Sequence, residues 1–304
     1  MEKASSIAVL ITCHNRRQKT LECLESLSKQ VLPEEISLTI YLVDDGSTDG
    51  TGQAVSQNYP NVKILVGDGN LYWNGGMRVA FGEALCFNHD YYLWLNDDTI
   101  LYPYTIDKLL TTSRHLTEQG ESLFILVGAT CDPHRPEPTY GGLVRMSKWH
   151  PLKFKVIEPS EEVQRCDTMS GNCVLISQTV AQELGNLDPN FTHSKGDWDY
   201  GLRLKKKGGS VWLAPGYLAT CAEHPPHSNC WDNPDLTLRE RVKMVLDPKC
   251  LPMGEWRVLL QRHTGLFWPF YWVTPYLKLL WRAGYFKLQK IKKQIVPEKN
   301  NSLG

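Results

Sequence analysis

Ile40-Tyr41-Leu42-Val43-Asp44-Asp45-Gly46-Ser47 runs an apolar stretch of strand length straight into two carboxylates and a turn. A strand with no polar interruption is buried on both faces, as in a parallel sheet covered by helices. The same punctuation recurs at Tyr91-Tyr92-Leu93-Trp94-Leu95, which ends in Asn96-Asp97-Asp98. A third acidic group, Asp197 and Asp199, opens the charged segment Asp197-Trp198-Asp199-Tyr200-Gly201-Leu202-Arg203. Carboxylates at the ends of buried strands gather at one sheet edge, where they can hold a divalent cation against a phosphorylated ligand.

Working outward, Ile7 to Ile11 is a further buried strand that ends at Thr12-Cys13-His14-Asn15-Arg16. The spacing of Thr20, Leu21, Cys23, Leu24 and Leu27 predicts a helix with one buried face. A short helix from about Gly52, a strand over 62–66, a glycine-rich loop over 67–76 and a helix from Met77 to about Asn88 follow. Repeated strand–helix units over the first 100 residues imply an α/β fold with a mostly parallel central sheet flanked by helices. Beyond it the pattern predicts a helix near 104–119 and strands at 123–127, 169–176 and 210–214. The last of these is expected to exit at Pro215-Gly216. A short helix over 179–184 and a longer one over 198–207 complete the pattern. Residues 131–165 show no clean period and read as an excursion over the pocket.

The chain carries 33 Lys plus Arg and 33 Asp plus Glu, so bulk charge gives no footprint for nucleic acid. Nine cysteines without a CxxC pair or zinc-like spacing suit reduced thiols in a cytoplasmic protein. No cleavable signal and no apolar stretch of spanning length is visible. Between Trp256 and Pro297 there is no acidic residue, while Trp, Tyr and Phe alternate with Lys and Arg. We therefore expect a domain over 1–230 and a C-terminal helical extension over 231–304. That extension suits subunit contact or peripheral contact with the inner face of a membrane.

The acidic groups divide by chemistry. Asn96-Asp97-Asp98 offers hard oxygens suited to Mg2+ or Mn2+, although Asp and Asn also cap helices. Asp44 and Asp45 can accept hydrogen bonds from a base and a ribose. The loop with Gly69 and Asn70 can offer backbone N–H groups to a ligand, but it lacks the order of a dinucleotide or P-loop motif. Asp197 is the candidate general base, placed where a helix N-terminus favours its charge. Positions 197 and 199 diverge by roughly 200° on a helix, so they serve different purposes. Asp199 is expected to pair with Arg203. His224 could complete a metal shell, with His227 and Glu223 as rivals. His14 reads as a local hydrogen-bonding residue.

Taken in order, Thr12 to Arg16, Val43 to Thr51, Asn96-Asp97-Asp98, Gly171-Asn172 and Gly196 to Arg203 resemble the bacterial rhamnosyltransferase-like group of family 2 glycosyltransferases. The resemblance implies a GT-A fold over residues 7 to about 224 and an inverting transferase using a nucleotide-diphosphate sugar. It implies that Thr12, Asn15, Asp44, Asp45, Gly69, Asn70, Asn96 and Asp97 line the nucleotide site. Asp98 and His224 would be metal ligands for Mn2+ or Mg2+, and Asp197 the base. Asn96 stands where the family has Asp, and Gly196 where it has Glu. The donor would be dTDP-rhamnose or a UDP-linked hexose, the acceptor a glycan or lipid-linked saccharide. Two other readings are open on sequence: a sugar-phosphate nucleotidyltransferase, or a non-catalytic binding module on the same sheet.

Overall fold

The computed structural model describes residues 5–147, 149–223, 233 and 235–295, with 287 and 289–295 by backbone alone. The chain divides into two compact units, Met1–His224 and Pro225–Gly304.

The first unit begins with β1 (Ser5–Cys13), α1 (Arg17–Ser28), β2 (Ile36–Asp44), α2 (Thr51–Asn58), β3 (Lys63–Val66), α3 (Tyr72–Leu85) and β4 (Tyr91–Leu95). β1 pairs in parallel with both β2 and β4, and β2 with β3. Ile7 to Ile11 are fully buried, as the unbroken apolar run requires of a strand covered on both faces. The register sets Cys13 beside Asp44 and Leu10 beside Trp94. Three chain segments therefore leave the sheet at one edge: His14 to Arg16, Asp44 to Ser47, and Asn96 to Asp98.

Next come β5 (Ile100–Leu101), α4 (Thr105–Glu118), β6 (Phe124–Asp132), β7 (Arg135–Tyr140), β8 (Gly142–Arg145), β9 (Phe154–Val156), β10 (Gln164–Cys166) and β11 (Thr168–Met169). β12 (Cys173–Ser177), α5 (Gln178–Leu184), α6 (Gly196–Lys206) and β13 (Ser210–Thr220) complete the unit. β12 runs antiparallel between β4 and β6, giving the order β10-β13-β6-β12-β4-β1-β2-β3. Two apolar clusters sandwich this sheet. One, under α3, α5 and α6, includes Phe81, Trp94 and Tyr200 with ring centroids 5.0–6.3 Å apart; the other contains Leu24, Leu27 and Leu109.

Four expectations change, the first being the strand over 169–176, which the turn at Ser170, Gly171 and Asn172 breaks into β11 and β12. Residues 131–165 are not a patternless excursion: they hold β7 to β10, with β8, β9 and β11 forming a separate three-stranded sheet. These strands are short and the first half of β7 is exposed, so no apolar alternation marks them. β13 does not end at Pro215. It continues to Thr220, with register shifts either side of Tyr217 and Gly216 at φ 64°, the conformation a bulge accommodates. Finally, α3 starts at Tyr72 rather than Met77, so Gly75 and Gly76 lie inside a helix. A Cβ at Gly76 would fall 2.0 Å from Thr12 Oγ1, which explains a residue that looks like loop glycine.

The second unit holds α7 (Leu238–Val245), α8 (Met253–His263), a 3-10 turn (Gly265–Phe267) and α9 (Trp268–Ile295). Thr237 and Glu240 form a capping box at the start of α7. Arg241 is buried; it donates to the carbonyls of Leu236 and Asn233 and lies over the Phe286 ring. Among the described residues no helix is long and apolar enough to cross a membrane.

Candidate active site

The loop after β1 bridges the other two acidic edges. Arg16 Nη1 donates to Asp97 Oδ1 at 3.0 Å and to Asp98 Oδ2 at 2.8 Å, across more than 80 residues of sequence. Lys19 Nζ stands 4.0 Å from Asp98 Oδ2, and the Cys221 thiol donates to Asp98 Oδ1 at 3.6 Å. Burial, with Asp98 adding to it, pushes the Cys221 thiol up to about 12, so it is a neutral donor here. Burial also pushes Asp97 up to about 6, with Arg16 pulling down and the neighbouring Asp98 pushing up. Burial works against the charge on Arg16, but the two carboxylates outweigh it and hold the guanidinium above its ordinary value.

Asp44 and Asp45 are adjacent yet have different employments. Asp45 is 3% exposed, and its carboxylate accepts from the N–H groups of Gly69 (2.8 Å), Leu71 (3.0 Å) and Tyr72 (3.1 Å). It thus satisfies donors at the start of α3, which have no partner within the helix. Asp44 Oδ1 accepts only from Ser47 N among the described hydrogen bonds, and the side chain is half-buried. Asn15, at φ 51°, receives the Thr48 N–H on its Oδ1 (2.7 Å) and gives its own N–H to Ser47 Oγ (2.9 Å). It ties the first loop to the second. His14 bonds the Asp45 carbonyl, 31 residues away, and so also joins the first loop to the second. Asn70 is exposed, with its N–H on Asp68 Oδ1. Thr12 is buried against Gly76.

Asp197 lies in the first turn of α6. Its Oδ2 accepts the Gly171 N–H at 3.0 Å and its Oδ1 the Trp198 N–H at 2.8 Å. Burial pushes the carboxyl up to about 6, while those two N–H groups and Lys195 pull it down. Asp199 turns away, fully buried, and pairs with Arg203 Nε at 2.8 Å. Trp73 connects this helix to the first acidic edge. Its indole N–H donates to Asn96 Oδ1 at 2.7 Å, and its ring closes on Gly171, where a Cβ would meet Cζ2 at 2.4 Å. Sequence reasoning assigned no role to Arg16, Trp73, Asn74 or Cys221; the Trp73-Asn74 pair inside the glycine-rich stretch 67–76 was the available signal.

Gly196 has a steric reason. A Cβ there would lie 1.7 Å from Asn74 Oδ1, and Asn74 is held in place by its Nδ2 donating to the carbonyls of Asp188 and Phe191. Gly196→Ala is therefore expected to destabilise the first unit by about 1–3 kcal/mol, as overpacking does. It should also displace Asp197. A lowered melting transition, with a larger loss of turnover than of nucleotide affinity, checks this.

The donor set suits a hard cation. Asp97 Oδ2 is buried with no hydrogen-bond partner, next to Asp98. Carboxylate oxygens of this kind could hold Mg2+ or Mn2+. Among the described residues no group of three or more His, Cys, Asp or Glu could hold a metal ion, and His224 lies outside the described residues. The fit thus rests on Asp97 and Asp98, with further ligands coming from elsewhere.

The family described as glycosyl transferase family 2 matches residues 8–185. In two strains of Mycobacterium tuberculosis, N-acetylglucosaminyl-diphospho-decaprenol L-rhamnosyltransferase is 29% identical over 229 residues, covering 67% of this chain and 71% of the relative. Among solved structures, S. aureus TarS superposes with a TM-score of 0.53 at 13% identity, covering 84% of this chain and 42% of TarS. GalNAc-T7 with UDP, GalNAc and Mn2+ gives 0.57 at 15% identity, covering 81% of this chain and 48% of that one. The chain thus spans less than half of either solved protein, and at these identities the likeness concerns fold. With more than half of its length matched by the family, and with the acidic edges of β2 and β4 inside that match, this chain belongs to glycosyl transferase family 2.

Proposed function

We propose that the chain is an inverting transferase that moves rhamnose or a hexose from a nucleotide-diphosphate sugar to a hydroxyl of a glycan or lipid-linked acceptor. One observation carries the reading. An unbroken set of contacts runs from Arg16 and Asp97–Asp98 through Asn96 and Trp73 to Gly171 and Asp197. The name of the mycobacterial relative favours a rhamnosyl donor, while TarS solved with UDP-GlcNAc keeps UDP-linked hexoses in view.

Asp44, whose carboxylate accepts only the Ser47 N–H among the described hydrogen bonds, accepts from the nucleoside. Asp45 holds the Gly67–Tyr72 loop in shape around it. Arg16 keeps a positive charge between Asp97 and Asp98 and so limits their mutual repulsion. A divalent cation held by Asp98 with Asp97 would offset charge growing on the departing diphosphate. Asp197 takes the proton of the acceptor hydroxyl. Its two N–H donors orient the carboxylate, and its raised value makes it a stronger base than an ordinary Asp. Attack from the face opposite the nucleotide inverts the anomeric centre.

A screen of dTDP-rhamnose and UDP-hexoses with Mg2+ or Mn2+ tests this, read by release of nucleoside diphosphate and formation of a glycosidic bond. Release of pyrophosphate instead would reassign the site to nucleotidyl transfer. Asp98→Ala should weaken UDP or dTDP binding in Mn2+. Outer-shell changes at metal sites already cost about 10–100-fold, so losing a ligand should cost at least as much. Calorimetry with and without EDTA checks it: the two affinities should converge in the variant.

A further inference from the structure

α9 is apolar on two opposite faces: one packs on α8 and the segment before it, and on the other the described side chains are exposed. On the inner face Leu279 is buried, the Trp272 indole donates to the Met253 carbonyl at 3.0 Å, and the Tyr276 hydroxyl to the Leu251 carbonyl at 3.0 Å. On the other face Phe270 (67%), Leu277 (58%), Trp281 (68%) and Leu288 (60%) are exposed. Their spacings of 7, 4 and 7 residues return to one side of a helix, forming a stripe of about 27 Å at 1.5 Å per residue. Leu266 and Phe267, in the 3-10 turn just before α9, are exposed at 95% and 73%. Single exposed apolar residues are common; an aligned row of this length is not.

Charge identifies the occupant. From Trp256 to Pro297 the sequence carries eight Lys and Arg and no Asp or Glu. Lys278 and Arg282 follow Leu277 and Trp281 directly, one helical turn apart, so they flank the stripe. A second copy docking here about a two-fold axis would set the same cationic segment against itself. An anionic lipid surface accepts both features, taking rings and aliphatic chains at the headgroup boundary and lysine or arginine on phosphates. Because α9 is not apolar enough to cross a bilayer, the geometry is that of a helix lying in the interface plane.

We infer that α9 docks this chain on an anionic phospholipid bilayer through the Phe270–Leu277–Trp281–Leu288 stripe, with Lys278 and Arg282 on lipid phosphates. The inference does not depend on the transferase reading, since binding needs neither donor nor acceptor.

The test is co-sedimentation of the full chain with vesicles of phosphatidylcholine alone and of phosphatidylcholine with phosphatidylglycerol, beside two variants, Leu277→Ser/Trp281→Ser and Lys278→Glu/Arg282→Glu. Wild type should partition onto the anionic vesicles and weakly onto the neutral ones. Each double substitution should lower the anionic partition by about tenfold or more. Leu277, Lys278 and Trp281 are exposed and Arg282 is half-buried, and matching melting curves will show that the variants fold. Equal partition of wild type and both variants overturns the proposal. So does a dimer in sedimentation velocity that the Leu277→Ser/Trp281→Ser variant dissolves while wild type ignores vesicles, which would give the face to a second copy.

Discussion

Asp197→Asn is expected to lower the transfer rate by about 10²- to 10⁴-fold, the range over which a positioned general base acts. Donor affinity should be unchanged. The amide keeps one oxygen to accept from Gly171 N–H or Trp198 N–H, so the start of α6 stays in place, but it cannot take a proton. The wild-type pH profile follows from the same carboxyl. A base works only when deprotonated, and burial lifts Asp197 to about 6. Activity should therefore be full above that value and fall as pH drops through it, higher than for an exposed Asp. Single-turnover rates for both proteins, beside isothermal titration with the donor's nucleotide, separate chemistry from binding. Normal turnover by the variant would remove Asp197 from the mechanism.

The second large effect separates two neighbouring carboxylates. Asp45→Ala should cost about 1–3 kcal/mol of stability, because three backbone N–H groups of a partly exposed loop lose their buried acceptor at once. The Gly67–Tyr72 loop and the start of α3 should loosen, and Trp73 with them. Asp44→Ala, one residue away, removes one local acceptor and should leave the melting transition nearly where it was. Its effect should appear as weaker nucleotide binding. Thermal melts and nucleotide titrations on both proteins read the difference. If Asp44→Ala melts early while Asp45→Ala does not, the assignment of scaffold and ligand contact is reversed.

The sequence pattern located the acidic edges because of how a covered parallel sheet is built. Strands buried on both faces must be apolar throughout, so the first polar residues mark where β2 and β4 emerge, and Asp44 and Asp97 fall there. Glycine reads less well. Gly76 looks like a loop residue, but α3 passes too close to Thr12 there for a side chain; at Gly75 a Cβ would meet Leu71 at 3.3 Å, a tight contact only. Gly196 looks like a departure from a Glu-Asp pair, yet the reason sits more than 100 residues away at Asn74.

Burial order along the chain is local information, and it was enough to determine the α/β class, the carboxyl ends of β2 and β4 and a helix that begins beside Asp197. Partner choice is not local. That Arg16 neutralises Asp97 and Asp98, that Trp73 joins Asn96 to Gly171, and that Asp45 is consumed by its own loop were decided only when the sheet brought these segments together. Groups 23 to 98 residues apart leave no period or spacing in the sequence, because what selects them is a distance in space.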